Sequence, residues 1–297
     1  MEKNETILLD DRGFIQIDGE DGEDFLQNIV TNDLKKIDHN FTLFSSIFTS
    51  QGKYLYEFLI IKTQEGYLLE CEKKSTTELI KIFNFYKLRS KVNLTDVSKE
   101  YSALVISLEK FREINASQTT RGFTVTLNNN IVYIDPRNEK LGAKIILKNK
   151  NVKTILKDLS LKTINKEKYY IKSHALGIPQ INLNKLKNKI FGIENNLDEL
   201  GGIDFKKGCY IGQENTSRIK LRNKLRRRIL PVIKISGKIN ENDVIKYKGI
   251  EIGKIIIDKP YLFGLIKVVD PNLKEFTNSE LICGQSRVKI LKPEWII

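Results

Sequence analysis

Residues Phe205–Glu214 read FKKGCYIGQE, with one of the chain's three cysteines set between two glycines. Glycine opens backbone paths closed to other residues, so Gly208 and Gly212 can bring the thiol of Cys209 to a surface or cleft. Lys206 and Lys207 come just before it and Arg218 shortly after, and cationic neighbours stabilise a thiolate. A nucleophilic or redox-active Cys209 is one reading, and a structural cysteine at a turn is the other. No histidine lies nearby in sequence, so His174 would have to reach the thiol through the fold. Glu214 and Arg218, four residues apart, suit an ion pair along a helix face.

Downstream, Arg218–Arg228 reads RIKLRNKLRRR. Its cations could line a phosphate strip. Leu221, Leu225 and Ile229 recur at helical spacing while Ile219 and Leu221 alternate with basic residues, so helix and strand compete. No aromatic residue interleaves the run to stack bases. From about Leu230 onward, short Ile/Val runs are separated by glycines, the pattern of a small β-barrel or β-sandwich.

Upstream, an alternating run through Phe14, Ile15 and Ile17 reads as a strand, Gly19 and Gly22 make a turn, and Phe25, Leu26, Ile29 and Val30 follow at helical spacing. The acidic cluster Asp18–Asp24 suits a helix N-terminus and lacks the ligand spacing of a calcium loop. Strands are expected on both sides of Gln51-Gly52-Lys53 and again after Glu65-Gly66, the last carrying Cys71 as a buried small hydrophobe. A helix is expected over Thr76–Leu88, strands over Tyr101–Leu108, Gly122–Leu127 and Ile131–Ile134, and a helical period over Lys148–Lys168. Gly177-Ile178-Pro179 ends a helix in a turn.

The 297 residues suffice for more than one domain. Hydrophobic content of 40% with 29% charged residues is that of an ordinary globular protein, and no apolar run approaches the roughly 18 to 20 residues that span a bilayer. The first residues lack a signal core and are acidic where a transit peptide is Arg-rich, so the expected location is cytoplasmic and no membrane partner is expected. A net charge of +13 attracts anions, although a Lys-rich solvated surface explains it equally well. Cys71, Cys209 and Cys283 form no CxxC and only His39 and His174 supply imidazole, so no metal site is expected. Walker A, GxGxxG, HExxH and GxSxG motifs are all missing, which sets aside the nucleotide, dinucleotide, metalloprotease and serine-hydrolase chemistries they carry.

KGCYIGQE followed by Arg218 resembles the signature of the YgfZ family of folate-binding and iron–sulfur maturation proteins. RGFIQIDGEDGEDFLQNIVTND (with Phe25, Leu26, Gln27, Thr31, Asn32 and Asp33), TSQGKYLYEFLI, LGIP at Leu176–Pro179 and NNLDELGGIDFKKGCYIGQE resemble that family's blocks in order, so the resemblance covers nearly the whole chain. It implies an α+β fold like the glycine-cleavage T-protein, an aminomethyltransferase. The expected architecture is three-lobed, with two interwoven α+β lobes over 1–229 and a small C-terminal β-barrel over 230–297, around a central funnel for tetrahydrofolate. The signature cysteine and lysine match Cys209 and Lys207, the residues expected to carry chemistry. Where the T-protein has Gly-Gly-x-x-Asp-Asp, this chain reads Gly52-Lys53-Tyr54-Leu55-Tyr56-Glu57, leaving one acid; where many relatives carry arginine before the GIP turn, it has Ser173.

A folate site needs apolar walls, a carboxylate for the pterin edge and cations for the glutamyl tail. Glu57, Tyr54 and Tyr56 are the candidates for the pterin, and Gln213, Glu214 and Arg218 complete the expected site. Three functions are set against one another. The leading one is a tetrahydrofolate-binding accessory factor for iron–sulfur enzymes, such as the radical enzymes of tRNA thiolation, with transient iron–sulfur clients as partners. The alternatives are a folate-dependent aminomethyltransferase with Glu57 as base, and an RNA-binding module using Arg218–Arg228. Whether the protein is an enzyme is left open by the sequence, with a factor that does not turn over preferred.

Overall fold

The computed structural model describes residues 1–115, 118–222, 225–268, 273 and 279–296. Strands are the commonest regular structure among the described residues. In chain order these are β1 (Glu5–Leu9), β2 (Arg12–Asp18), β3 (Leu43–Phe48), β4 (Tyr54–Thr63), β5 (Gly66–Glu72), β6 (Asn93–Asp96), β7 (Tyr101–Ile106), β8 (Thr124–Leu127), β9 (Asn130–Ile134), β10 (Ala143–Lys148) and β11 (Lys162–Thr163). Then follow β12 (Arg227–Ser236), β13 (Val244–Tyr247), β14 (Ile250–Ile257), β15 (Leu262–Lys267), β16 (Leu281–Cys283) and β17 (Ser286–Ile290). Among the described residues six α-helices join them: α1 (Gly22–Ile29), α2 (Thr76–Lys87), α3 (Leu108–Ile114), α4 (Val152–Asp158), α5 (Glu167–Ala175) and α6 (Gln213–Leu221).

The chain divides into two units, each assembled from separated segments. The first comprises Met1–Ile47, Tyr56–Tyr169 and Leu200–Ile211, and the second Phe48–Leu55, Tyr170–Glu199 and Gly212–Ile297. The expectation of two interwoven lobes over 1–229 and a barrel over 230–297 groups the chain differently; here the unit that holds the barrel also takes in segments that precede it.

Two mostly antiparallel sheets build the first unit, ordered β11-β1-β7-β10-β9-β8 and β3-β4-β5-β2-β6. Residues two apart on a strand share a face, so the register decides what lies between the sheets. Lys144 stands opposite Tyr133 and Ile146 opposite Ile131, while Glu70 stands opposite Phe14 and Leu68 opposite Gln16. These two faces meet: Lys144 Nζ donates to Glu70 Oε1 at 2.6 Å, and the Phe14 and Tyr101 rings lie 5.8 Å apart. The opposite face of the six-stranded sheet is apolar, with Leu104, Ile106, Val132, Ile134 and Ile145 packed with Phe111 of α3 and Ile155 of α4. Burial of that face supplies hydrophobic stabilisation, while the gap between the sheets mixes apolar side chains such as Phe14, Leu68 and Ile146 with the charged Glu70 and Lys144.

In the second unit β12-β15-β14-β13-β16-β17 close into a barrel. Leu230, Val232, Ile245, Ile255, Ile266 and Val288 fill it, as the glycine-separated Ile/Val runs predict. Cys283 lies inside it, fully buried. The basic run at 218–228 resolves its competing readings by being both: α6 ends at Leu221 and β12 begins at Arg227, with Asn223 and Lys224 outside the described residues. The expected helical stretch Lys148–Lys168 is interrupted; α4 stops at Asp158, and β11 adds a parallel edge strand beside β1.

Candidate functional site

The segment carrying Cys209 is pinned within the first unit by the loop that follows α1. Thr31 Oγ1 donates to the Gly202 carbonyl at 2.6 Å, Asn32 Nδ2 to Gly201 at 2.8 Å, and the Asp204 amide to Thr31 at 3.0 Å. Gln27 fastens the same loop, donating to Asp33 and accepting from the Leu34 amide, both at 2.8 Å. Two sequence blocks about 170 residues apart thus form one hydrogen-bonded unit.

Lys207 is the centre of this lock. Its side chain is only 6% exposed, and Nζ donates to the carbonyls of Gln27 (2.7 Å), Val30 (2.6 Å) and Asn32 (3.0 Å). The last carbonyls of a helix have no partners within it, and an ammonium with three donors satisfies them at the negative end of the α1 dipole. Burial pulls the Lys207 pKa down to about 8, against the pull of Asp33 and Asp204. The charge therefore serves the α1 terminus, and Nζ also lies 5.2 Å from the Tyr210 ring centroid. Cys209 itself is exposed, whereas Cys71 and Cys283 are buried. Burial pushes the Cys71 thiol up to about 12 and that of Cys283 up to about 11.

Glu57 belongs to a polar cluster between the sheets of the first unit. It is 6% exposed and its charge acts on Arg137, whose guanidinium forms a fork with the Asp135 carboxylate at 2.9 and 2.7 Å. Lys144 lies 3.9 Å from Asp135. Around Glu70 converge Lys144, the Tyr133 hydroxyl and Arg12 Nε at 2.8 Å. Burial alone would raise the Glu70 pKa, but Lys144 and Arg12 overcome it and hold the carboxyl at about 2. Lys144 is lowered by burial to about 8, so both partners are ionised at neutral pH. Sequence reasoning missed this cluster; its signal was charge at positions that alternate with apolar residues in otherwise buried strands.

The remaining expected residues are placed as follows. Tyr56 donates its hydroxyl to Glu78 of α2. Tyr54, in the second unit, is fully buried, and its backbone bonds Ile190 and Asn188, each at 2.9 Å. Gln213, Glu214 and Arg218 lie on α6 of the second unit, and Arg218 pairs with Glu214 at 2.5 Å as the spacing predicts. Gly212 precedes that helix at φ +81°, packed against the Thr49–Gly52 turn so that a Cβ would come within 2.4 Å of the Thr49 carbonyl oxygen. Asn215 donates to the Gln51 carbonyl at 3.0 Å. The TSQG and IGQE blocks therefore share one turn.

In the same unit Arg218, Arg222 and Arg226, with apolar Phe191, Ile219 and Leu225, line a groove of about 340 Å³. Arg227 and Arg228 are turned to other uses: Arg227 bonds Glu194 at 2.8 Å, and Arg228 pairs with Glu199 at 2.5 Å. The basic run is thus shorter as an electrostatic strip than its sequence suggests. Ser173 donates to the Ile178 carbonyl and accepts from Gln180 Nε2, both at 2.6 Å, closing the GIP turn. His174 bonds the Leu262 carbonyl of β15 at 2.8 Å, and burial lowers its pKa. Among the described residues no three His, Cys, Asp or Glu side chains converge as metal ligands.

The parts present fit a folate unevenly. The arginine groove has the charge for a glutamyl tail and Glu57 is a buried carboxylate, but Tyr54 and Tyr56 are committed to packing and to Glu78.

The class of the fold is settled by comparison: it is that of the glycine-cleavage T-protein. The crystal structure of the glycine cleavage system aminomethyltransferase T from Bartonella henselae superposes with a TM-score of 0.75 at 11% identity, covering 98% of this chain and 86% of that one. The particular relatives are proteins named "iron-sulfur cluster assembly factor IBA57 homolog, mitochondrial". That of Neurospora crassa is 28% identical over 282 residues, 92% of this chain and 61% of its own. That of Pyricularia oryzae is 30% identical over 230 residues, 76% of this chain and 56% of its own. The chain thus spans a little over half the length of these relatives. No protein-family model matches the chain. The resemblance to the YgfZ-type iron–sulfur maturation family is borne out by these relatives and this fold. Their names also correct one expectation: they are mitochondrial proteins, which overturns the cytoplasmic location inferred from the composition of the first residues alone.

Proposed function

We propose that this protein is a tetrahydrofolate-binding accessory factor in the maturation or repair of iron–sulfur enzymes, with Cys209 as its functional thiol. The observation that carries the reading is an exposed cysteine on a segment held rigid by the buried Lys207 cap. A thiol meant for a transient contact with a client's cluster needs exposure and a fixed mount, because a mobile segment would lose conformational entropy at every encounter. The names of the relatives supply the iron–sulfur context. Radical enzymes that thiolate tRNA are the client class we infer.

Folate binding rests on the fold relationship and on two features of this chain. The groove offers Arg222 and Arg226 as cations for carboxylates of a glutamyl tail, with Arg218 beside them paired to Glu214. Glu57, in the first unit, is the carboxylate put forward for the pterin edge; Gln213 and Glu214, in the second unit, are the polar groups that accompany the arginine groove. In this reading Lys207 positions the Cys209 segment and does not itself react. The aminomethyltransferase alternative is disfavoured because Glu57 stands alone where the T-protein block carries two acids.

The test is calorimetric titration of tetrahydrofolate into wild type, Cys209→Ala and Arg222→Ala, with iodoacetamide labelling of Cys209 followed with and without folate. Binding to wild type and Cys209→Ala that weakens in Arg222→Ala supports the proposal. No folate binding, together with a Cys209 that does not label, overturns it.

A further inference from the structure

The first unit holds a second concavity, in the same gap between sheets as the Glu70 cluster but built from different residues. It measures about 610 Å³, within the roughly 300 to 1,000 Å³ of small-molecule sites. Its walls include Leu68, Ile146 and Tyr101, with Gln16 and Thr63 among the polar residues. The register explains the position: Gln16 and Leu68 are cross-strand neighbours on the inner face of one sheet, and Ile146 and Ile131 are neighbours on the inner face of the other. Glu70 and Lys144 close the gap two residues along each strand, and among the described residues no ion pair crosses it beyond them.

Two features identify what it would take. Gln16 is 9% exposed and its Nε2 has no hydrogen-bond partner; the Thr63 hydroxyl is likewise buried and unpaired. A buried amide donor left unpaired is unfavourable, and a turn about the last side-chain torsion would bring it to the cavity, where a ligand can pair with it. An amide presents a donor and an acceptor side by side, the pattern that complements the edge of a nucleobase. The wall cations are already used: Lys148 donates to Glu100 at 2.7 Å, and Lys62 bonds Tyr67 at 2.9 Å and lies 3.6 Å from Glu23. The carboxylate of Glu65 on the same wall disfavours an anion.

We propose that this cavity binds the base of an uncharged nucleoside, held by the Gln16 amide between the aliphatic walls of Leu68 and Ile146. The site is independent of the folate reading, since none of its residues belongs to that set.

The experiment is calorimetric titration of adenosine, guanosine, cytidine and uridine, each up to about 1 mM, into the full chain. The same titrations are run on Gln16→Leu, which keeps volume, and on Thr126→Trp, which places an indole on an exposed part of the wall; thermal unfolding confirms that each variant is folded. Binding of at least one nucleoside that weakens about tenfold or more in either variant, the size expected for one lost buried pairing, supports the proposal. Absence of binding by all four, or binding retained in both variants, overturns it.

Discussion

The Lys207 ammonium donates to the Val30 carbonyl at 2.6 Å across 177 residues of chain. Removing it strands three carbonyls at the end of α1, each costing about 1–3 kcal/mol when left unpaired. Some of that is offset because burying the charge is itself unfavourable. Lys207→Met is therefore expected to lower stability by about 2–4 kcal/mol in urea unfolding. It should also free the Cys209 segment, seen as faster amide exchange over Leu200–Ile211. Unchanged exchange there would mean that the lysine does not hold the segment.

The three cysteines should separate cleanly. Cys209 is exposed, Cys71 is 1% exposed and Cys283 is fully buried, with the two buried thiols pushed above the usual cysteine range. Iodoacetamide at neutral pH is expected to add one carbamidomethyl group to the folded protein, on the peptide containing Cys209, and three after denaturation. A second group on the folded protein would contradict this placement.

Acid should expose the cluster between the sheets. Glu70 has a folded pKa of about 2 against an ordinary value of 4.5, so its contribution is complete above the ordinary value and is lost as pH falls through it toward about 2. The linkage is worth about 3 kcal/mol. In Glu70→Gln the stability-versus-pH curve should lose this part of its acid slope, measured as urea midpoints between pH 6 and pH 3. Parallel curves for the two proteins would count against an ionised Glu70.

Gly212→Ala meets both a left-handed φ and the Thr49 carbonyl at 2.4 Å. It should destabilise by about 1–3 kcal/mol through backbone strain and steric displacement. A stability within error of wild type would show that the turn moves freely at this position.

How legible this was in the sequence varied with the kind of interaction. The helix at Gly22–Ile29, the barrel strands and the Glu214–Arg218 pair follow local periodicity, and local periodicity was enough. The Glu70 cluster was not readable, because Arg12, Lys144 and Tyr133 come to it from strands 58, 74 and 63 residues away. No spacing rule links a carboxylate to cations so remote. Lys207 was misleading in another way: beside Cys209 in sequence it reads as a thiolate-stabilising charge, but a long side chain goes where unsatisfied carbonyls are. Tyr54 and Tyr56, read together as walls of one site, fall in different units, because the chain passes from one unit to the other between them.

That passage has a consequence for the nascent chain. The first unit needs Leu200–Ile211 for its completion, and the second needs Phe48–Leu55, made long before its barrel. Each therefore waits on a segment made after part of the other. The ribosome must release some two hundred residues before Lys207 can cap α1, and until then that helix end stays open to water and to chaperones. The cysteine arrives with the closing piece, so Cys209 takes up its mount only when the first unit completes.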